Sequence, residues 1–218
     1  MTTQKTQKTQ SKSKWDLRRT IGEVLSQILN VPVMTGILVV YLYFRLPAGT
    51  PNRLPAFLVT LLFLSIIPLC SLFFYIPGKQ KEQEKVFHRQ RVASFVFMAA
   101  SYPVGLLVLS LMHSPRIFTA TAMSYTLITV GLIVFNLLIH YKASGHAAGV
   151  AGPVASLFYL YGWIASPLLI LLPLVAWARV NAKGHTTWQM VVGSILSLTV
   201  AVAVLYFYGF TPFTGQLF

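Results

Sequence analysis

In an otherwise apolar chain, three short polar clusters hold the residues able to do chemistry. They are Glu84-Lys85-Val86-Phe87-His88-Arg89-Gln90-Arg91, Lys142-Ala143-Ser144-Gly145-His146, and the stretch from Ala178 to Gln189, which contains Arg179, Lys183 and His185. Arginine and lysine supply fixed positive charge and forked donors for a phosphate, and Ser144 adds a hydroxyl. His146 and His185 can divide the roles of nucleophile and acid. These are the parts of a phosphoryl-transfer site. A divalent metal is not expected, because the only acids, Asp16, Glu23, Glu82 and Glu84, all precede the second cluster and form no carboxylate cage. The single cysteine, Cys70, lies in an apolar stretch, which excludes an intrachain disulfide and suggests no thiol-ligated metal. No cofactor is implied.

The elements that must position these clusters are membrane helices. Of 218 residues, 56% are hydrophobic and 10% charged, whereas about a quarter are charged in a soluble domain. Apolar stretches of bilayer-crossing length recur from about residue 28 onward. The expected fold is therefore all-α, a polytopic transmembrane bundle with spans near 28–46, 54–77, 92–112, 117–140, 147–162, 165–178 and 187–208, seven in all. Residues 1–14 read as a disordered basic tail and residues 15–218 as a single transmembrane domain. Between Trp15 and Asn30, apolar Leu17, Ile21, Val24, Leu25, Ile28 and Leu29 recur at helical spacing, as in an amphipathic helix lying on the membrane surface. The stretch 147–178 would be about 48 Å long as one helix, more than a bilayer needs, so a hairpin turning within Gly162 to Pro167 is expected.

Two spans separate each cluster from the next, so all three can meet at one end of the bundle. Under this topology fourteen of the 17 lysines and arginines fall on the clusters' side, and only Arg45, Arg53 and Arg116 on the other. Setting aside Arg91, Lys142 and Arg179 as chemical still leaves eleven against three. The positive-inside rule then places the N-terminus and the site face in the cytoplasm, and the plasma membrane of a prokaryote is the expected location. The net charge of +13 is thus read as membrane topology, and no nucleic-acid partner is expected.

The three clusters together resemble the type 2 phosphatidic acid phosphatase superfamily, over roughly residues 84–193. Ser144-Gly145-His146 matches its Pro-Ser-Gly-His motif, with Ala143 in place of proline. Ala178-Arg179, five residues, His185, three residues, Gln189 matches the Arg-to-His spacing of its third motif, with Ala for the leading Ser and Gln for the closing Asp. The first motif, Lys, six residues, Arg-Pro, is met only at Arg91, and Lys85 or Lys142 could stand in for the lysine. Lys142 to Pro153 and His185-Thr186-x-x-Gln189 are similar to a microbial branch of that superfamily.

The resemblance implies a six-helix phosphatase-like core plus one further span. It also implies hydrolysis or transfer of a lipid phosphate or diphosphate, polyprenyl or glycerolipid, through a phosphohistidine. His185 would be the nucleophile, His146 the general acid, and Gln189 the residue orienting the nucleophile. Arg91, Lys142, Ser144, Gly145 and Arg179 would hold the phosphate oxygens. Metal and cofactor would be dispensable.

Plainer readings stand beside these. Lys79, Lys81, Arg89 and Lys183 fit topological anchors, and His88, His113 and His140 fit span-end positions. Gly145, Gly149 and Gly152 with Ala147, Ala148 and Ala151 suit close helix packing. The rival to an enzyme is a lipid-phosphate-binding membrane protein with weak or lost turnover, motivated by the missing Lys and Asp. A multi-span scaffold or small transporter would not need the three clusters to converge, and no inverted repeat supports it.

Overall fold

Asn30 and Pro32 decide where the first long helix starts. Asn30 has an extended backbone and its Oδ1 accepts from the Val31 amide at 2.8 Å, while Pro32 supplies the fixed φ that suits a first turn. This break separates α1 (Thr20–Ile28) from α2 (Val31–Arg45) with a bend of 42°. The computed structural model describes residues 17–18, 20–74, 83–182 and 185–217, without the side chains of Leu72, Phe74 and residues 83–91. The tail at 1–14 lies outside the described residues, as do the side chains of Glu84, Lys85, His88, Arg89 and Arg91, together with Lys79, Lys81 and Lys183.

Every described element is helical. After α2 come α3 (Arg53–Leu61), a π-helical turn at Leu62–Ile66, the short α4 (Ile67–Leu69) and a 3₁₀ segment at Cys70–Phe74. Then follow α5 (Gln83–Leu111), α6 (Arg116–Ile133) with a π-helical end at Val134–Leu138, α7 (Gly145–Tyr161), a 3₁₀ segment at Gly162–Ile170, α8 (Leu171–Asn181) and α9 (Thr187–Phe207).

Four helical stretches are long and apolar enough to cross a membrane: Val92–Leu111, Arg116–Leu138, Gly145–Asn181 and Thr187–Phe207. The number becomes five when α1 and α2 count as one bent span. The expected seven is not reached by this measure. Arg53–Leu69 is a shorter apolar helix, and the two arms expected at 147–162 and 165–178 form one continuous helical stretch of 37 residues. That stretch is folded, not straight. Gly162 takes φ +60°, where an L side chain is strained, and a Cβ there would meet Phe213 Cδ1 at 2.7 Å. Beyond this turn the chain doubles back, so that Val150 and Val154 of α7 pack with Leu171, Leu172 and Val175 of α8. Large side chains such as Phe44, Phe73, Trp163, Ile164 and Phe207 stay exposed around the outside, a surface that suits lipid rather than water.

The most intimate helix pair is α7 with α9. Small residues permit it: Ala147, Ala148 and Ala151 are buried, Ser197 Oγ donates to the Ala148 carbonyl at 2.7 Å, and a Cβ on Gly152 would sit 3.0 Å from Ser197 Oγ. The glycine and alanine run after His146 is therefore a packing surface.

The two ends of the bundle have different characters. At the far end from the polar clusters, Arg53 donates twice to the Tyr43 carbonyl, at 3.1 and 2.8 Å, and stacks on the Tyr43 ring. Arg45 meets the Tyr161 hydroxyl at 3.4 Å, and Arg116 reaches the Tyr208 carbonyl at 3.5 Å. The C-terminal segment closes this end, with Tyr159 Oη donating to the Phe210 carbonyl and the Phe213 and Gly215 amides donating to Tyr159 and Leu160.

Candidate functional site

At the other end, the N-termini of α7 and α9 lie side by side. Ser144 is the N-cap of α7: its backbone is extended, its Oγ accepts from the Ala147 amide at 3.4 Å, and it is fully buried. Its own amide donates to the Gln189 carbonyl in the first turn of α9, at 3.0 Å. The cap of one helix thus rests on the first turn of the next. The loop leading into Ser144 is held by Asn136, whose Nδ2 donates to the Leu132 carbonyl at 2.7 Å and to the Ala143 carbonyl at 3.4 Å.

Helix α9 starts with a reciprocal cap. Thr186 Oγ1 accepts from the Gln189 amide at 3.4 Å, while Gln189 Oε1 accepts from the Thr186 amide at 3.1 Å. The same Oε1 lies 3.1 Å from His185 Nδ1. A backbone amide can only donate, so the Gln189 atom facing it must be the carbonyl oxygen and not the NH₂. An oxygen in turn requires a donor at Nδ1. In the neutral imidazole the proton is therefore on Nδ1 and the lone pair on Nε2. Gln189 fixes the tautomer that a nitrogen nucleophile needs.

His146 occupies the first turn of α7, directly after Gly145, and both Arg179 and His185 act on it as charge neighbours. Arg179 lies in the last turn of α8, where a cation also favours the helix C-terminus. Its Nη1 donates to Ser26 Oγ of α1 at 2.8 Å. Two helix N-termini with their outward amides, one guanidinium and two imidazoles make this end attractive to an anion.

His146, Arg179, His185 and Gln189 are thus brought together, with Ser144 and Gly145 framing them. The Ser144 hydroxyl is engaged as a buried helix cap. Lys142 is exposed, on the loop before α7. Arg91 belongs to α5, and its side chain is outside the described residues. One turn further along α5, the Phe95 ring lies 3.9 Å from the position of a Cβ on Gly145, so that part of α5 borders the start of α7. His113 and His140 are exposed helix-end residues with φ of 52° and 56°. No group of three or more His, Cys, Asp or Glu able to hold a metal ion occurs among the described residues.

Ser26, Asn136 and Gly193, which packs directly against the Ser144 backbone, contribute to this end of the bundle although the sequence does not flag them. Only Thr186 carried a signal, the Thr-x-x-Gln spacing of a capping box. No family model, curated protein or solved structure matches the chain.

Proposed function

We propose that the chain is a membrane-embedded phosphatase or phosphotransferase acting on a lipid phosphate or diphosphate. The observation that carries it is the shared Gln189 oxygen, which accepts from the Thr186 amide and faces His185 Nδ1, so that a neutral His185 presents the Nε2 lone pair at the end of the bundle where His146 and Arg179 also lie. In the first step the Nε2 lone pair forms a bond to phosphorus while the bond from phosphorus to the lipid oxygen breaks. His146 delivers a proton to that leaving oxygen. Water, giving its proton to His146, then attacks phosphorus, the P–N bond breaks, and inorganic phosphate leaves. Arg179 and the first amides of α7 hold the phosphate oxygens, with Arg91 and Lys142 as further cationic partners.

Phosphate release from a panel of polyprenyl and glycerolipid phosphates in detergent tests this reading. Release from one class is expected, persisting in EDTA and falling with vanadate, which imitates the five-coordinate geometry of transfer. A protein that binds these lipids and releases nothing would instead support the non-catalytic alternative. That alternative is favoured by a neutral Gln189, which cannot stabilise positive charge on His185 as a carboxylate would.

In this reading seven passes are used and α1 lies at the membrane surface. The return arm contains 9 residues of 3₁₀ helix and 11 of α-helix, which at about 2.0 and 1.5 Å per residue reach roughly 35 Å. That length crosses a hydrocarbon core. The exposed faces of Leu17, Ile21, Val24 and Ile28 suit the interface. With the site end in the cytoplasm, in a Cys70→Ala background, Asn181→Cys should resist a membrane-impermeant thiol reagent applied outside the cell, and Trp163→Cys should react. The reverse pattern would turn the topology over.

A further inference from the structure

Ser26 lies outside every polar cluster, yet it is 1% exposed and accepts from Arg179 Nη1 at 2.8 Å across 153 residues of sequence. The helix carrying it is pressed against α8: a Cβ on Gly22 would meet the Ala178 carbonyl oxygen at 2.8 Å and the Ala182 amide nitrogen at 3.3 Å. Gly22 and Ser26 form the buried face of α1, continued by buried Leu29 just past its end, while Ile21, Val24 and Ile28 form the opposite, exposed face. One face therefore grips the turn of α8 that bears Arg179. An arginine side chain loses considerable rotamer freedom when it binds an anion in one geometry. A buried acceptor that holds one arm of the guanidinium beforehand removes part of that loss.

We infer that Ser26 is a positioning residue for Arg179, with α1 as the bracket that brings it there. The inference rests on reading Arg179 as a ligand for phosphate. It assigns α1 a part in the site, so that phosphate affinity depends on a residue 58 positions before the first residue of the motif-bearing region at 84–193.

The test is titration of inorganic orthophosphate into the full-length protein in detergent micelles, for wild type, Ser26→Ala and Ser26→Thr, alongside kinetics on the accepted lipid phosphate. Ser26→Ala should weaken orthophosphate about tenfold, the effect of one hydrogen bond to a charged group. It should raise KM while leaving kcat nearly unchanged, and Ser26→Thr, which restores the hydroxyl, should recover both. Wild-type affinity in Ser26→Ala, equal losses in the Ala and Thr proteins, or a wild type that does not bind orthophosphate would each overturn the bracket. Serine-dependent binding without hydrolysis of any lipid phosphate would uphold it and defeat the phosphatase reading instead.

Discussion

Under the proposed mechanism His185→Ala is expected to abolish turnover, with phosphate release falling by about 10⁴-fold or more, the scale seen when an enzyme loses its nucleophile. The label should vanish too. Rapid quenching of the wild-type protein with a ³²P-labelled lipid phosphate should trap a protein-bound phosphate that survives alkali and is lost in acid, as a phosphoramidate is. The His185→Ala protein should carry none. His146→Ala should be slower by about 10²–10⁴-fold, through the step that expels the lipid alkoxide. Position 189 then separates orientation from charge. Glutamate is isosteric with Gln189, so it can keep both the Thr186 cap and the His185 contact, and its charge suits a helix N-terminus. Gln189→Glu should therefore retain or raise the rate, whereas Gln189→Leu, which frees the imidazole to take either tautomer, should lose about 10²-fold. A His185→Ala protein with wild-type activity would refute the histidine mechanism outright.

The features legible in the sequence were those set by local chemistry. The stretch from Gly162 to Pro167 marked a turn because glycine accepts a positive φ and proline interrupts an α-helix, and the chain does double back at Gly162. The glycine and alanine run after His146 identified the close-packed face of α7. The number of spans was not legible, because hydropathy does not register whether an apolar stretch is α-helical or 3₁₀, and α8 alone has only 11 residues. The contact between His185 and Gln189 was legible because it is local, formed across the cap that starts α9. The site was not legible where tertiary packing decides it. Ser26 reaches Arg179 only because Gly22 lets α1 approach α8, and Asn136 serves the Ala143 loop from a π-helical turn that no composition rule predicts.

Gly193 gives the second large effect, and it tests whether the two helix N-termini must stay in register. A Cβ at this position would collide with the carbonyl oxygen of Ser144, with the Ser144 carbonyl carbon and amide nitrogen both at 3.2 Å. All three are backbone atoms of the α7 cap, and none can swing away as a flexible side chain could. Gly193→Ala must therefore push the start of α7 off α9 by several tenths of an ångström or more. His146 rides on α7, while His185 and Gln189 belong to the start of α9, so the two imidazoles would separate. Misplacement on that scale costs catalysis heavily, and turnover should fall by about 10²-fold although residue 193 touches no substrate. Ser197→Ala is the control one turn further along α9. It removes the hydrogen bond to the Ala148 carbonyl without displacing backbone, so it should cost stability of about 1 kcal/mol, read as a lower thermal midpoint in detergent, and leave kcat near wild type. Gly193→Ala protein that remains monodisperse in detergent and hydrolyses lipid phosphate at the wild-type rate would show that the α7 cap does not position the reacting groups.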